Sequence, residues 1–448
     1  MALVSPMPAV LRGRVPVVGA GIELLRDPTA ALEAARAKHG DTFYLSAFGL
    51  PLFFVFSPEG LRSLYALPER DASFTEATRT LLGFKLPEEL TAGDMGMFHR
   101  LFGKDRRQRS IEHIVDAVDG AIDRLNRAGE LEAFTHMKAL VHRVGFRSWA
   151  GHEAASDRHL ARLVRLFEQL DPEEAFVRPS SIFVTLLTKK QRERAALREV
   201  AEILTEIHRA RPEADEPRDM LDELHASYRA LPREERELAV ARDVVILHLA
   251  SLSNLYAAMA WTLVNALARP SLQRDIVAEL AAARAEHGPD YLLDERVVHG
   301  LAALEACAYE SIRFAQQSIT LRKVVNECTL DDGEREYRLA PGVYIATLLS
   351  VTNRERPPLD RFDAAHYDKG RLSSRVALPT KETVSTFGHG IHACPGQRFA
   401  IGAIKVAVAR HLDRLELTPR FGAPRIAKSQ IGAVGRADAP CPIGFRRR

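Results

Sequence analysis

The stretch FGHGIHACPG, Phe387 to Gly396, sets one cysteine among three glycines and two histidines, with a proline directly behind it. Three kinds of chemistry suit that pattern. Cysteine is among the most buried residue types, so Cys394 reads first as an inert packing residue in a turn. Zinc held by His389, His392 and Cys394 is a second reading. Zinc needs a fourth ligand and wider spacing than these crowded positions give. The third reading is a heme iron held by one thiolate, which requires a cysteine that stays deprotonated and a shielded sulfur. Gly388, Gly390 and Gly396 let the backbone pass close to a flat ligand and turn its N–H groups toward the sulfur. Pro395 stiffens the exit. The helix QRFAIGAIKVAVARHL then begins at the sulfur, where its N-terminal dipole favours negative charge.

The loop resembles the heme-binding signature of the cytochrome P-450 superfamily, Phe-x-x-Gly-x-x-x-Cys-x-Gly, with Phe387, Gly390, Cys394 and Gly396 at its fixed positions. Further landmarks of that family follow in order. YESIR supplies a Glu-x-x-Arg pair, Glu310 and Arg313, one turn apart on a helix. Alone, charges at that spacing are usually a solvated face. Here the resemblance implies the ion pair that supports the heme loop. The family's third member is an arginine in Phe-Asp-x-x-Arg, whereas FDAAH puts His366 there. The resemblance also implies heme-propionate binding by His392 and Arg322. A further donor lies within Lys104 to Arg109, although the usual Trp-x-x-x-Arg pattern is missing.

The segment Val244 to Ala268 contains no charged residue over 25 positions. Its length allows a membrane span. His248, Ser251, Ser253, Asn254 and Asn265 inside it are costly in lipid, so a core helix, buried on all sides, is the better reading. In the family this long helix crosses over the heme and carries an acid–alcohol pair that delivers protons for O–O cleavage. ASLSNLYAAMAW puts Ser253 at the acid and Asn254 at the alcohol. An amide donates a hydrogen bond but does not relay a proton as an acid does. Ser253 or Ser251 with water is then the substitute, against the plain reading of polar residues satisfied within a helix. An asparagine here is similar to the branch holding sterol hydroxylases and prostacyclin synthase, as are CPGQRFAIGAIK and SITLRKV. The heme loop itself looks like that of soluble bacterial members.

The elements that must position these residues are legible. The chain has 448 residues, 46% hydrophobic and 27% charged, with net charge +3. That balance gives nucleic-acid binding no support. The four scattered cysteines, Cys307, Cys328, Cys394 and Cys441, form no CxxC pair, which argues against a disulfide framework or structural zinc and for a reducing compartment. DPTAALEAARAKHG is a capped helix. DTFYLSAFGLPLFFVFSPEG predicts a hairpin broken at Gly49–Pro51. Amphipathic helices follow in DRRQRSIEHIVDAVDGAIDRLNRAG and KKQRERAALREVAEILTEIHRARP, joined through the looser FVRPSSIFVTLLT. Strands with the turn Asp331-Asp332-Gly333 fill the region after Ile319, and helix returns after Gly396. The expectation is a mainly α chain with small β-sheets, a single domain over residues 1–448 of the cytochrome P-450 fold. No N-terminal apolar block is long enough for a signal sequence or anchor, so the expected location is soluble and cytoplasmic.

The resemblance implies heme b with an axial thiolate from Cys394. It implies a monooxygenase that uses O2 and electrons from a separate ferredoxin with its reductase, or a flavodoxin-type donor, to hydroxylate an apolar lipid, sterol or polyketide-like molecule. Arg398, Lys405 and Arg410 are candidates to dock an acidic donor, against the plainer reading of a solvated helix face. Ser253-Asn254 in place of the acid–alcohol pair raises an alternative, a reductant-independent isomerase or dehydratase of a hydroperoxide or endoperoxide. A heme-binding sensor is the third. Substrate contacts are expected from Phe84, Phe98, Phe176, Phe183, Leu252, Tyr256, Gln316, Gln317, Ser318 and Ile319, each of which also suits ordinary packing.

Overall fold

Asp27 accepts a hydrogen bond from the backbone N–H of Ala30 at 3.0 Å and caps the helix Pro28–His39, which stops where Gly40 takes φ +84. The predicted hairpin follows. Strands Thr42–Ala47 and Leu50–Val55 pair antiparallel, with Phe43 opposite Phe54. Phe48 and Gly49, both at positive φ, make the turn. A computed structural model describes residues 10–11, 20–91, 102, 106–170, 190–212 and 216–448. Phe98, Phe176, Phe183 and Lys104 therefore lie outside the described residues.

The chain forms two compact units. The first comprises Met1–Leu82, Ile312–Cys394 and Ile426–Asp438. Its core is a six-stranded sheet in the order Val10–Leu11, Thr42–Ala47, Leu50–Val55, Tyr344–Leu348, Ile319–Val324, Ala72–Ser73. Tyr344–Leu348 is buried along its whole length, as a central strand requires. A smaller hairpin, Cys328–Asp331 with Glu336–Leu339, turns where the sequence places Asp331-Asp332-Gly333. Gly333 there has φ +93.

The second unit comprises Gly83–Ser311, Pro395–Arg425 and Ala439–Arg448. It is helical apart from a three-stranded sheet of Leu415–Pro419, Pro442–Arg447 and Ala128–Glu132. The helix Arg233–Leu267 runs through its middle, packed on Ala133–Trp149, Gln191–Ala210 and Gln397–Arg414. This helix is longer than its uncharged segment. It begins at Arg233, where Pro232 precedes a charged first turn. By length and composition it could cross a membrane, yet most of it is buried inside the fold. Within the uncharged segment its one open turn is Ala250–Asn254, with Ala250 and Asn254 exposed and Ser251 and Ser253 half-buried.

Candidate active site

The cysteine loop takes its path from two glycines. Gly388 has φ +78 and Gly390 φ +62, a region that side chains rarely adopt. A Cβ on Gly388 would also lie 2.6 Å from the carbonyl oxygen of His392. Gly396 differs, since φ −83 does not demand glycine. A single turn of 3-10 helix, Gly390–His392, brings Cys394 round so that its N–H donates to the Phe387 carbonyl at 2.7 Å. The helix Gln397–Arg414 starts three residues later.

Among the four cysteines only Cys394 is exposed. Burial pushes the Cys307 thiol up to about 12, and that thiol donates to the Thr262 carbonyl at 3.6 Å. Cys441 is fully buried and donates to the Ala439 carbonyl. Burial also raises Cys328. A thiolate ligand must be open to its metal, and of the four only the loop cysteine is. No group of three His, Cys, Asp or Glu side chains among the described residues is placed to hold a metal ion.

Within the first unit Arg322 and His392 meet side by side, guanidinium Nη2 against imidazole Nε2. Arg322 is 1% exposed. Its Nη1 donates to the carbonyls of Leu64 at 2.6 Å and Leu67 at 2.7 Å, its Nε is buried without a partner, and no carboxylate among the described residues pairs with it. Burial lowers its pKa. Burial and then the Arg322 charge lower His392, while Glu69, 3.5 Å from Nε2, opposes them. A buried guanidinium without a counter-charge costs several kcal/mol, roughly, unless a ligand supplies one. The pair therefore fits a heme propionate.

Arg313 is fully buried and donates to the carbonyls of Asn353, Leu359 and Arg361. Asn353 passes that order on to the loop. Its Oδ1 accepts from Ser385 N at 2.8 Å and its Nδ2 donates to Ser385 O at 2.9 Å. The Ser385 hydroxyl then accepts from Gly388 N at 3.0 Å. Asn353, Ser385 and Glu69 were missed by sequence reasoning. Such side-chain-to-backbone bonds between distant segments leave no periodic signal. Glu310 and His366 are both buried, His366 at the end of the 3-10 turn Ala364–His366.

The remaining sequence candidates divide between the two units. In the second unit, Ser251 is turned back on its helix, donating to the His248 carbonyl at 3.0 Å. Asn254 Nδ2 stands 3.5 Å from the Ala250 carbonyl, a long bond. The Ser253 hydroxyl has no partner among the described residues. Leu252 and Tyr256 are buried core residues, and Phe84 is half-buried. In the first unit, Gln316 is spent on Thr386 O and Ser318, while the Oε1 of buried Gln317 has no partner among the described residues. Ser318 and Ile319 are half-buried. From Lys104 to Arg109, Arg106 pairs with Glu223, Arg109 reaches the Arg218 carbonyl, and Arg107 Nε is buried without a partner. The docking expectation is corrected for two residues. Lys405 is buried against Glu305 at 2.7 Å, and Arg410 is largely buried against Asp119 at 3.2 Å. Their helix lies in the core, so neither presents its charge to a partner.

The profile of the cytochrome P450 family matches residues 134–438. The chain belongs to the cytochrome P450 family. It is similar to mouse cytochrome P450 7B1, 22% identical over 437 residues, covering 92% of this chain and 84% of the relative. It is similar to mouse 24-hydroxycholesterol 7-alpha-hydroxylase, 22% identical over 464 residues and covering 98% and 93%. Over 240 residues, 51% of this chain and 48% of the relative, it is 25% identical to the cytochrome P450 monooxygenase gliF of Aspergillus fumigatus. This P450 is accordingly a monooxygenase that binds heme b through a cysteine thiolate.

Proposed function

We propose that this P450 hydroxylates an apolar, sterol- or lipid-like molecule in the cytoplasm, with Cys394 as the thiolate ligand and electrons from a separate ferredoxin- or flavodoxin-type donor. Bound heme supplies the activation of O2 and the insertion of one oxygen atom into a C–H bond. The chain's own residues do the rest. Arg322 and His392 hold a propionate. Arg313, Asn353 and Ser385 hold the cysteine loop in shape. Asn254 offers an amide N–H, and the Ser253 hydroxyl holds a proton with no competing partner among the described residues. The observation that carries the substrate class is the near end-to-end match to a protein named as a hydroxylase of 24-hydroxycholesterol, 98% of this chain and 93% of that one.

The test uses holoenzyme, a ferredoxin with its reductase, O2 and a panel of sterols and oxysterols. The expected result is a product one oxygen heavier that requires both O2 and reductant. Clean rearrangement of lipid hydroperoxides by ferric enzyme under argon, with no oxygenated sterol in the aerobic arm, would overturn the reading. Cys394→Ser is expected to abolish the thiolate band of the reduced CO complex. A band that survives in that variant refutes the ligand assignment.

A further inference from the structure

In the second unit a cavity of ≈ 810 Å³ opens where the C-terminal end of helix Gln191–Ala210 meets helix Met220–Ser227 and the first turn of Arg233–Leu267. The volume is that of a small-molecule site. Arg209, Arg218, Arg233, Arg236 and His225 are among its walls. Of the acceptors, Asp222 is fully engaged and Glu237 in part, while Glu216 stands exposed at the rim. Asp222 Oδ1 accepts from Arg211 at 2.9 Å and faces His208 Nδ1 at 3.3 Å. Its Oδ2 takes the Arg218 backbone N–H at 3.2 Å and Arg218 Nε at 2.8 Å. One oxygen of Glu237 serves two guanidiniums, Arg233 Nε at 3.0 Å and Arg209 Nη2.

The donors are not used up. Arg209, Arg218 and Arg233 each engage a carboxylate through a single nitrogen. A guanidinium carries five N–H groups, so most of each fork is uncommitted. Arg236 is half-buried, and its guanidinium makes no hydrogen bond or ion pair among the described residues. Its charge bears on His225, which is 9% exposed and whose Nε2 is buried without a partner. The His225 ring is held by parallel stacking on His208, centroids 3.7 Å apart and planes 5° off parallel. Arg211 Nε is also buried without a partner. A wall whose inner carboxylate is engaged and whose guanidiniums keep surplus donors is complementary to a compact ligand that brings several acceptor oxygens.

We propose that this cavity is a second ligand site, distinct from the cysteine loop, for a small phosphate-type oxyanion held by Arg233, Arg236 and His225. It stands independently of the oxygen chemistry proposed above. Holoenzyme is titrated calorimetrically with pyrophosphate and, in parallel, with glycerol 3-phosphate, in chloride buffer at constant ionic strength. Saturable binding of one anion per chain is expected, with Kd below about 1 mM. Arg236→Gln removes a cation that holds no other group, so the fold is retained. That variant is expected to bind about tenfold more weakly, the loss of one charge-assisted bond. His225→Phe keeps the ring stack, deletes Nε2 and weakens binding in the same sense. The reduced CO spectrum stays unchanged in both. Tighter pyrophosphate marks an inorganic anion and tighter glycerol 3-phosphate a phosphate monoester. No saturable heat up to about 10 mM of either probe, or unaltered affinity in Arg236→Gln, overturns the proposal.

Discussion

Asn353 grips the backbone of Ser385 from both ends of its carboxamide, accepting from Ser385 N at 2.8 Å and donating to Ser385 O at 2.9 Å. The same Nδ2 also donates to the Arg313 carbonyl at 3.2 Å. All of this lies at 0% exposure for Asn353 and 1% for Ser385. Asn353→Leu keeps the volume and strands three buried backbone groups. The expected cost is roughly 3 kcal/mol, about 1 kcal/mol for each bond. Since Ser385 Oγ fixes Gly388 N, heme should also leave the variant faster. Urea midpoints and heme transfer to an acceptor apoprotein check both parts. A variant of normal stability and normal heme retention would show that the loop does not depend on Asn353.

Arg322 makes a sharper separation, because its buried charge has no carboxylate partner among the described residues. Arg322→Met removes a desolvated cation and leaves the Leu64 and Leu67 carbonyls short of a donor. The apoprotein should change little, since the two effects oppose. Heme affinity should fall about tenfold to a hundredfold, the worth of roughly 1.5–3 kcal/mol for a hydrogen bond to a charged group. Equal heme affinity in variant and wild type would remove Arg322 from the propionate site.

Much of this was readable in the chain. The capped helix at Asp27, the Thr42–Val55 hairpin, the turn at Gly333 and the helix after Gly396 each carry local chemistry that survives into the fold. The cysteine loop carried its family in four fixed residues. What failed was any inference from charge to exposure. Lys405 and Arg410 read as surface cations, yet their helix is walled by Ile401, Ile404, Val406 and Val408 and lies in the core. Tertiary packing decided, and the local sequence holds no sign of Glu305 a hundred positions earlier.

Lys405 and Glu305 are 1% and 8% exposed at their side chains, with Nζ 2.7 Å from Oε2 and a second bond from Nζ to the His299 carbonyl at 3.0 Å. Breaking one half strands the other. Lys405→Met is expected to cost about 3–5 kcal/mol, while Lys405→Met with Glu305→Leu recovers most of it, because a buried pair and a well-packed apolar pair are close in energy. Urea unfolding of the three proteins at equal slope tests this. A single variant within about 1 kcal/mol of wild type would mean that the carboxylate finds water.

His142 and His248 join the helices Ala133–Trp149 and Arg233–Leu267 through one ring-to-ring hydrogen bond of 3.0 Å. One ring donates and the other accepts, so at least the accepting ring is neutral. Phe146 stacks on His248 at 4.3 Å, Phe167 meets it edge-on at 4.7 Å, and a Cβ on Gly145 would fall 2.4 Å from its Nδ1. Burial, and then the charge of Lys138 one turn back, hold His142 at about 4. His248 is driven well below its ordinary value by burial. The folded pKa lies below the unfolded 6.5, so the unfolded chain binds the extra proton between those values. The stability is therefore complete above pH 6.5 and is lost as pH falls toward 4, by about 1.4 kcal/mol per pH unit for each such histidine. His142→Leu lowers stability at pH 7 by leaving His248 Nε2 unpaired, but it also deletes one of these protons. Its stability should fall less steeply than wild type from pH 6.5 to 4.5. Urea midpoints at four pH values in that window give the slope independently of the offset. Parallel lines for the two proteins would mean that His142 takes up its proton within the folded state, and that the two helices are held by the aromatic packing alone.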